Sequence, residues 1–153
     1  MTLEEQLKQK EFKTKRQRAY LNVVYTASVL NLEQTRLFKP FGLSLQQYNV
    51  LRILRGQNGT PVSIGLIQER MLDIQSNASR LIDKLEDKKL AIRKVCPNDK
   101  RQMEITITQE GLKVLLELDE VIVLNESNIQ LTDGEADMLN DLLNKLRTNQ
   151  KNK

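Results

Sequence analysis

The N-terminal quarter of the chain carries a helical pattern, because apolar residues recur at spacings of three and four and nothing interrupts them before Pro40. These residues are Phe12, Tyr20, Val23, Val24, Ala27, Val29 and Leu30. The pattern predicts one long helix that ends at Lys39-Pro40-Phe41-Gly42. Its first half is strongly polar, so we expect part of the helix to pack on another chain rather than within a small monomer. The alternative is a helix over residues 19–37 only, after a frayed basic segment.

Three further helices and a short break are predicted between residues 44 and 88. Ser44 and Gln47 fit a capping box at the start of one helix, and the turn-rich residues 56–61 end it. Ser63 can cap the next helix, which runs to Met71. After a break over residues 72–75, another helix begins near Ser76. Two short helices joined by such a turn are typical of a helix-turn-helix unit.

The pattern changes from helical to alternating after Lys89. Residues 90–95 and 103–108 predict a two-stranded hairpin around a charged loop. Helical spacing then returns, with Thr108 as one helix cap and Thr132 and Glu135 as a capping box for the last helix. The predicted fold class is therefore mainly α with a small β-hairpin wing: a winged helix-turn-helix between N-terminal and C-terminal helices.

Composition excludes several classes of function. The 153 residues predict a single domain, and they include one Cys and no His. Disulfides, structural zinc and His-based catalysis therefore lack their residues, and we expect no enzyme and no cofactor. The longest uncharged stretch has 14 residues, against roughly 18 for a membrane span, and the acidic start is unlike a signal peptide. We expect a cytoplasmic protein without a membrane partner.

The net charge of +4 conceals a division along the chain. Residues 52–101 carry 11 basic and 6 acidic groups, whereas residues 102–147 carry 3 and 10. A basic middle beside an acidic segment indicates one surface for a polyanion and another that faces away from it. Ordinary solvated helix faces give similar divisions, so charge alone leaves both interpretations open.

Two stretches resemble the MarR family of bacterial transcription regulators. Residues 76–86 (SNASRLIDKLE), followed by Leu90 and Arg93, resemble the family's recognition helix. A second stretch resembles the family's wing signature: Asp99-Lys100-Arg101, followed by Ile105, Ile107, Thr108 and Gly111. The long terminal helices resemble its dimerisation region. The resemblance implies a DNA-binding lobe over residues 43–108 and a dimerisation region over residues 1–37 and 109–148.

Lys89 departs from the family pattern, which usually has Gly at the end of the recognition helix. Gly adopts a left-handed conformation there without the cost of about 1–2 kcal/mol that other residues incur. Lys89 must therefore accept that conformation, or the helix must end differently.

Short polar residues lie at the start of the predicted recognition helix, where a helix in the major groove contacts base edges. They are Gln75, Ser76, Asn77 and Ser79. Arg80 and Lys84 follow, and their spacing of four residues places both on one helix face with Ser76. Ser76 can instead be only the N-cap of this helix, a role that does not exclude contact with DNA.

The predicted wing carries a second group of candidates. Arg101 lies where a wing tip can reach a narrow minor groove, whose negative potential attracts arginine. Asp99 can hold the guanidinium or the loop through charge-assisted hydrogen bonds, and a simple surface ion pair that closes the turn is the alternative. Three further cations are expected to attract phosphate independently of sequence: Arg93, Lys94 and Lys100.

Two features stay without an assigned role. Oxidant sensors of the resembled family use a Cys near the N-terminal helix, whereas Cys96 lies in the predicted wing and is interpreted as an ordinary strand residue. The family binds small, often aromatic effectors between its two regions. Phe38, Phe41 and Tyr48 flank that junction, but aromatic residues there more often belong to the core, so no effector pocket is assigned.

The protein is predicted to be a homodimeric repressor of transcription. A small-molecule effector is expected to modulate its affinity for the operator. Two recognition helices would bind half-sites of a pseudo-palindrome in double-stranded DNA, about 34–36 Å apart. The alternative is a winged-helix protein-interaction module without sequence-specific DNA binding, because a fold does not determine function.

Overall fold

The computed structural model describes residues 2–97 and 99–148, and it confirms a mainly helical winged helix-turn-helix. In chain order the elements are α1 (Leu3–Leu7), α2 (Lys15–Phe38), a short 3-10 helix (Lys39–Phe41), α3 (Leu45–Arg55), β1 (Val62–Ser63), α4 (Ile64–Arg70), α5 (Ala78–Asp87), β2 (Ala91–Val95), β3 (Met103–Ile107), α6 (Gln109–Glu126) and α7 (Asp133–Thr148). Within the described ranges, none of these helices has the length and hydropathy needed to cross a membrane.

The prediction of one long N-terminal helix is wrong, and so is its alternative. A capping box of Thr2 and Glu5 begins α1, which ends at Lys8 in a left-handed conformation. A second cap then begins α2, because the Thr14 hydroxyl accepts the N–H of Gln17 at 3.0 Å. The two caps favour two separate helices. The segment between them is mostly polar, so a continuous helix would bury few additional apolar side chains.

Side-chain contacts connect α1 to α2. Glu4 forms an ion pair with Arg18, with 2.7 Å between Oε1 and Nε. The Tyr25 hydroxyl donates a hydrogen bond to Gln6 Oε1, also at 2.7 Å. Leu3 is buried. The first turn of the chain therefore folds back on α2 instead of extending it.

The other predicted helix starts are confirmed by their hydrogen bonds. Ser44 and Gln47 form the capping box of α3, and the Ser63 hydroxyl accepts the N–H of Leu66 at the start of α4. Thr108 accepts the N–H of Gly111 at 3.0 Å, and Thr132 exchanges hydrogen bonds with Glu135 at the start of α7. These caps act within three residues, which is why sequence is enough to find them.

The wing is a three-stranded antiparallel sheet in the order β1, β3, β2. The hairpin of β2 and β3 is confirmed, with Ala91 opposite Ile107 and Val95 opposite Met103. The two-residue strand β1 was not predicted, and it places Val62 opposite Ile105. Because β1 directly precedes α4, this pairing joins the helix-turn-helix to the wing.

The core lies between the helix-turn-helix and the sheet. Its fully buried side chains come from six elements, and they include Leu51, Ile67, Ile82, Leu85, Ile105 and Leu115. Phe38 is only 2% exposed and stacks on Tyr48 with 4.8 Å between the ring centroids. Phe38 is therefore a core residue, as the sequence argument favoured, and no effector pocket is assigned to this pair.

The start of α6 approaches the backbone before β2 very closely. A Cβ added at Gly111 would lie 2.3 Å from the carbonyl oxygen of Leu90 and 2.8 Å from Ile107 Cγ1. Thr108 holds the start of α6 against the same backbone segment, because its N–H donates to Leu90 O and its hydroxyl donates to Lys89 O at 2.8 Å. The Thr-x-x-Gly pattern is therefore a helix cap combined with a close backbone contact.

Contacts between Cα atoms divide the chain into two compact units that meet between Leu118 and Asp119, within α6. The first unit contains the helix-turn-helix and the wing. The second contains the end of α6 and α7. The predicted division into residues 43–108 and two flanking dimerisation segments stays a prediction.

Lys89 adopts the left-handed conformation that its position demands, with φ of +59°. We expect Lys89→Gly to raise the free energy of unfolding by about 0.5–1 kcal/mol, since relief of the left-handed cost exceeds the added entropy of Gly in the unfolded chain. Urea unfolding followed by circular dichroism measures it. Asn58, with φ of +51°, is the matched control, and Asn58→Gly should gain less because Asn tolerates this conformation. A loss of stability in Lys89→Gly would contradict this account.

Candidate nucleic-acid interface

The turn between α4 and α5 is held by the side chain of Gln68. Its amide nitrogen donates to the carbonyl oxygen of Ser76 at 2.7 Å, and its amide oxygen accepts the N–H of Ala78 at 3.0 Å. One side chain on α4 thus satisfies the backbone on both sides of the position where α5 begins. Sequence reasoning missed Gln68, because a Gln on a helix gives no local signal of a partner ten residues away.

The same turn is also held by one of its own residues, Asp73. Its carbonyl oxygen accepts the N–H of Ser76 at 3.1 Å, and its carboxylate accepts the N–H of Gln75 at 3.1 Å. The amide of Gln46 on α3 reaches the other carboxylate oxygen at 3.4 Å. The pKa of Asp73 is lowered by the Ser76 hydroxyl first, then by the Gln75 N–H and the Gln46 amide. Hydrogen bonds to the charged form stabilise it.

Asn77, not Ser76, is the N-cap of the recognition helix. Its side-chain oxygen accepts the N–H of Arg80 at 3.1 Å, and α5 begins at Ala78. The alternative role of Ser76 as the N-cap of this helix is therefore wrong. Both residue types are good N-caps, and the contact of Gln68 with Ser76 and Ala78 selects the later start.

One face of α5 is buried and the other is exposed. Ala78, Ile82 and Leu85 are buried. The exposed candidates at the start and along the outer face are Gln75, Asn77, Arg80 and Lys84, while Ser76 and Ser79 are half-buried. The structure thus brings all six predicted residues to one end and one face of this helix.

Arg93, one of the predicted phosphate contacts, is ion-paired within the chain. Its guanidinium is 2.5 Å from Asp83 Oδ1 and 3.3 Å from Glu86 Oε2, and its side chain is 21% exposed. Its backbone N–H also donates to Glu86 at 2.9 Å. Two carboxylates on α5 offset the charge of Arg93, so this residue fastens strand β2 to the recognition helix.

Lys88 attaches the end of α5 to another helix. Its Nζ donates to the carbonyl oxygen of Gly42 and to Gln47 Oε1, the latter at 3.3 Å. Gln47 is also the second member of the α3 capping box. The partners of Lys88 lie more than 40 residues earlier in the chain, so the local sequence gives no signal of them.

Asp99 holds the wing loop rather than the arginine side chain. Its carboxylate accepts the backbone N–H of Arg101 at 2.9 Å and the side-chain amide of Gln102 at 3.0 Å. Of the two predicted roles for Asp99, the structure thus supports the loop contact. Asn98, part of the predicted loop, lies outside the described residues.

The wing cations are exposed. Lys94, Lys100 and Arg101 lie at the surface, and Arg101 is near Ser63 and Ile64 at the start of α4. Cys96 is half-buried beside them, and its N–H donates to Gln102 O at 2.9 Å. Over residues 2–97 and 99–148, no three His, Cys, Asp or Glu side chains cluster in a way that could hold a metal ion.

Comparison with known proteins gives consistent matches. A family model described as MarR family matches residues 41–102. A MarR transcription factor from Planctomyces limnophilus is 32% identical, with 90% of this chain and 99% of that chain covered and a TM-score of 0.66. The HTH-type transcriptional regulator MhqR of Bacillus subtilis is 29% identical over 112 residues, which cover 72% of this chain and 76% of MhqR.

Two solved structures share the fold at lower identity. The S. aureus MepR–DNA complex is 18% identical with a TM-score of 0.73, with 89% of this chain and 99% of that chain covered. The organohalide-sensing regulator RdhR-CbdbA1625 in its 2,4-dichlorophenol-bound form is 18% identical with a TM-score of 0.74, with 97% of this chain and 82% of that chain covered.

A capped helix α5, a hairpin wing and the helices on either side define the class of winged helix-turn-helix proteins. Within this class, the match to the Planctomyces limnophilus factor over nearly its whole length is decisive. The chain belongs to the MarR family of transcription regulators.

Proposed function

We propose that this protein is a homodimeric repressor that binds a pseudo-palindromic operator in double-stranded DNA. The observation that carries the proposal is the arrangement of α5, whose inner face is buried while its polar start and two cations point outward beside the wing. A helix presented in this way fits the major groove, and a wing beside it fits the neighbouring minor groove. MepR, which has a similar fold, was solved in complex with DNA, and this supports the proposal.

The proposed contacts follow from exposure and charge. Gln75, Asn77 and Ser79 lie at the start of α5 and are assigned to base edges, while Arg80 and Lys84 are assigned to phosphates. Ser76 and Asp99 position the backbone on which these side chains lie.

The wing adds two further contacts to the proposal. Arg101 is assigned to the minor groove and Lys100 to phosphate. Arg93 is omitted, because Asp83 and Glu86 offset its charge.

Exposed apolar residues support the homodimer. They lie on the helices that the family resemblance assigns to dimerisation, among them Tyr20, Val24, Leu30 and Leu32 on α2 and Met138, Leu139, Leu142 and Leu146 on α7. Helix α7 has no buried residue. A helix with an apolar stripe and nothing to cover it requires a partner, and a second copy of this chain supplies a matching stripe.

A small aromatic effector and a cytoplasmic location complete the proposal. RdhR-CbdbA1625 holds 2,4-dichlorophenol on a similar fold, which supports a small aromatic ligand here without naming its pocket residues. A regulator of transcription acts where the chromosome is, hence in the cytoplasm of a bacterium. The work of such a protein is binding, so we assign it no catalytic residue, cofactor or metal.

Selection of bound duplexes from a random library tests the proposal. The expected result is a pseudo-palindrome with half-site centres about one helical turn apart. A dimer that enriches no sequence, even at low salt, would contradict DNA binding and favour a protein-interaction module.

Arg101→Ala is expected to weaken binding to the selected operator by about 1–3 kcal/mol, because one specific minor-groove contact is lost. Fluorescence anisotropy measures the affinity, and thermal unfolding verifies that the fold is intact. Lys113→Ala removes the same charge from α6 and controls for net charge. Equal affinities for Arg101→Ala and Lys113→Ala would exclude Arg101 from the interface.

A further inference from the structure

Two large apolar side chains lie in the turn before the recognition helix. Leu72 is 71% exposed, and Ile74, directly before Gln75, is 89% exposed. Burial of apolar surface is the main favourable term in folding, and Ile74 contributes almost none of it. A side chain this exposed is available for contact with a partner of the protein.

The turn holds Ile74 in a defined place. The bond from the Ser76 N–H to the Asp73 carbonyl makes Ile74 and Gln75 the central residues of a four-residue turn. Asp73 ties this turn to α3 through Gln46, and Gln68 ties its last residue to α4. Ile74 is consequently an exposed side chain on a fixed corner.

We propose that Ile74 contacts the 5-methyl group of a thymine in the operator and so selects thymine at one position of each half-site. The thymine methyl is the apolar group that a base pair presents in the major groove, and apolar side chains read it. Ile74 shares its turn with Gln75, and it is exposed, as Asn77 and Arg80 are. This inference rests on the proposed DNA binding and goes beyond it, since it assigns base preference to a residue outside the recognition helix.

The test replaces each thymine of the selected operator, one at a time, by deoxyuridine, which pairs identically but lacks the methyl group. We expect one position per half-site at which the substitution weakens binding of the full-length protein about fourfold, the value for one buried methyl group. Ile74→Ser should weaken binding to the normal operator similarly and should no longer distinguish thymine from deoxyuridine there. Ile74→Leu should keep the distinction.

Ile92→Ser is the matched control, because Ile92 is also exposed but lies on β2 outside the proposed surface. It should leave the thymine preference unchanged. An operator in which no deoxyuridine substitution matters would overturn the role of Ile74 while leaving DNA binding intact. A failed selection would instead remove both proposals. If Ile74→Ser changes the oligomeric state and not the thymine preference, the residue belongs to a protein contact and the inference is wrong.

Discussion

Replacing Gly111 by alanine is expected to lower the free energy of unfolding by about 2–3 kcal/mol, because the new methyl group has no space. Its Cβ would lie 2.3 Å from the Leu90 carbonyl oxygen, so one backbone segment must move. That carbonyl accepts the Thr108 N–H, and Thr108 caps α6, so the movement also weakens the cap. Urea unfolding measures the loss.

Gly65→Ala is the matched control for this substitution. Gly65 lies on α4, and a Cβ there would come no closer than 3.8 Å, to the Ser63 hydroxyl. Because alanine favours a helix over glycine, this variant should gain up to about 1 kcal/mol. If the two variants had the same stability, the close approach at Gly111 would carry no energetic weight.

A double substitution on α7, Leu139→Glu with Leu142→Glu, is expected to convert the dimer into monomers and to reduce operator affinity at least 100-fold. Both leucines are exposed within the chain and share one apolar stripe, so the charges would be buried unpaired in a dimer. A monomer also loses the second half-site, and linked sites gain about 100-fold to 10,000-fold over a single one. Analytical ultracentrifugation measures the mass, and anisotropy measures the affinity.

Asn140→Glu with Asn144→Glu adds the same two charges to α7 at its polar positions. This variant should remain a dimer and keep most of its affinity. Monomers from both double variants would mean that charge alone, rather than the apolar stripe, controls assembly. If the leucine variant remained a dimer, the dimer interface would not include this stripe of α7.

The parts of the fold that sequence predicted correctly depend on neighbours within a few residues. The caps at Ser44, Ser63, Thr108 and Thr132 each act over three positions, and the hairpin pairs two strands that follow each other in the chain. The break between α1 and α2, in contrast, was not predicted from the sequence. The caps at Thr2 and Thr14 outweigh the apolar spacing, which taken alone predicts one continuous helix.

What the sequence does not show about the site depends on partners that are distant along the chain. Whether Ser76 or Asn77 caps α5 depends on Gln68, which lies on the preceding helix. Whether Arg93 is available to phosphate depends on two carboxylates that the hairpin brings back to it. Residue type and spacing could predict which side chains lie at the start of α5 and in the wing, but not which of them are already paired within the protein.

The recognition helix is fastened at three places: Gln68 at its start, Arg93 along its length and Lys88 at its end. Each attachment leads to a different neighbour, namely α4, the wing and α3. These contacts restrain the tilt and the position of the helix on its own lobe. The proposed effector would consequently change the distance between the two recognition helices of the dimer. Each helix would keep its place on its own lobe, but the pair would no longer match the spacing of successive major grooves. Substitutions that abolish induction without harming DNA binding should therefore cluster outside the lobe that carries this helix.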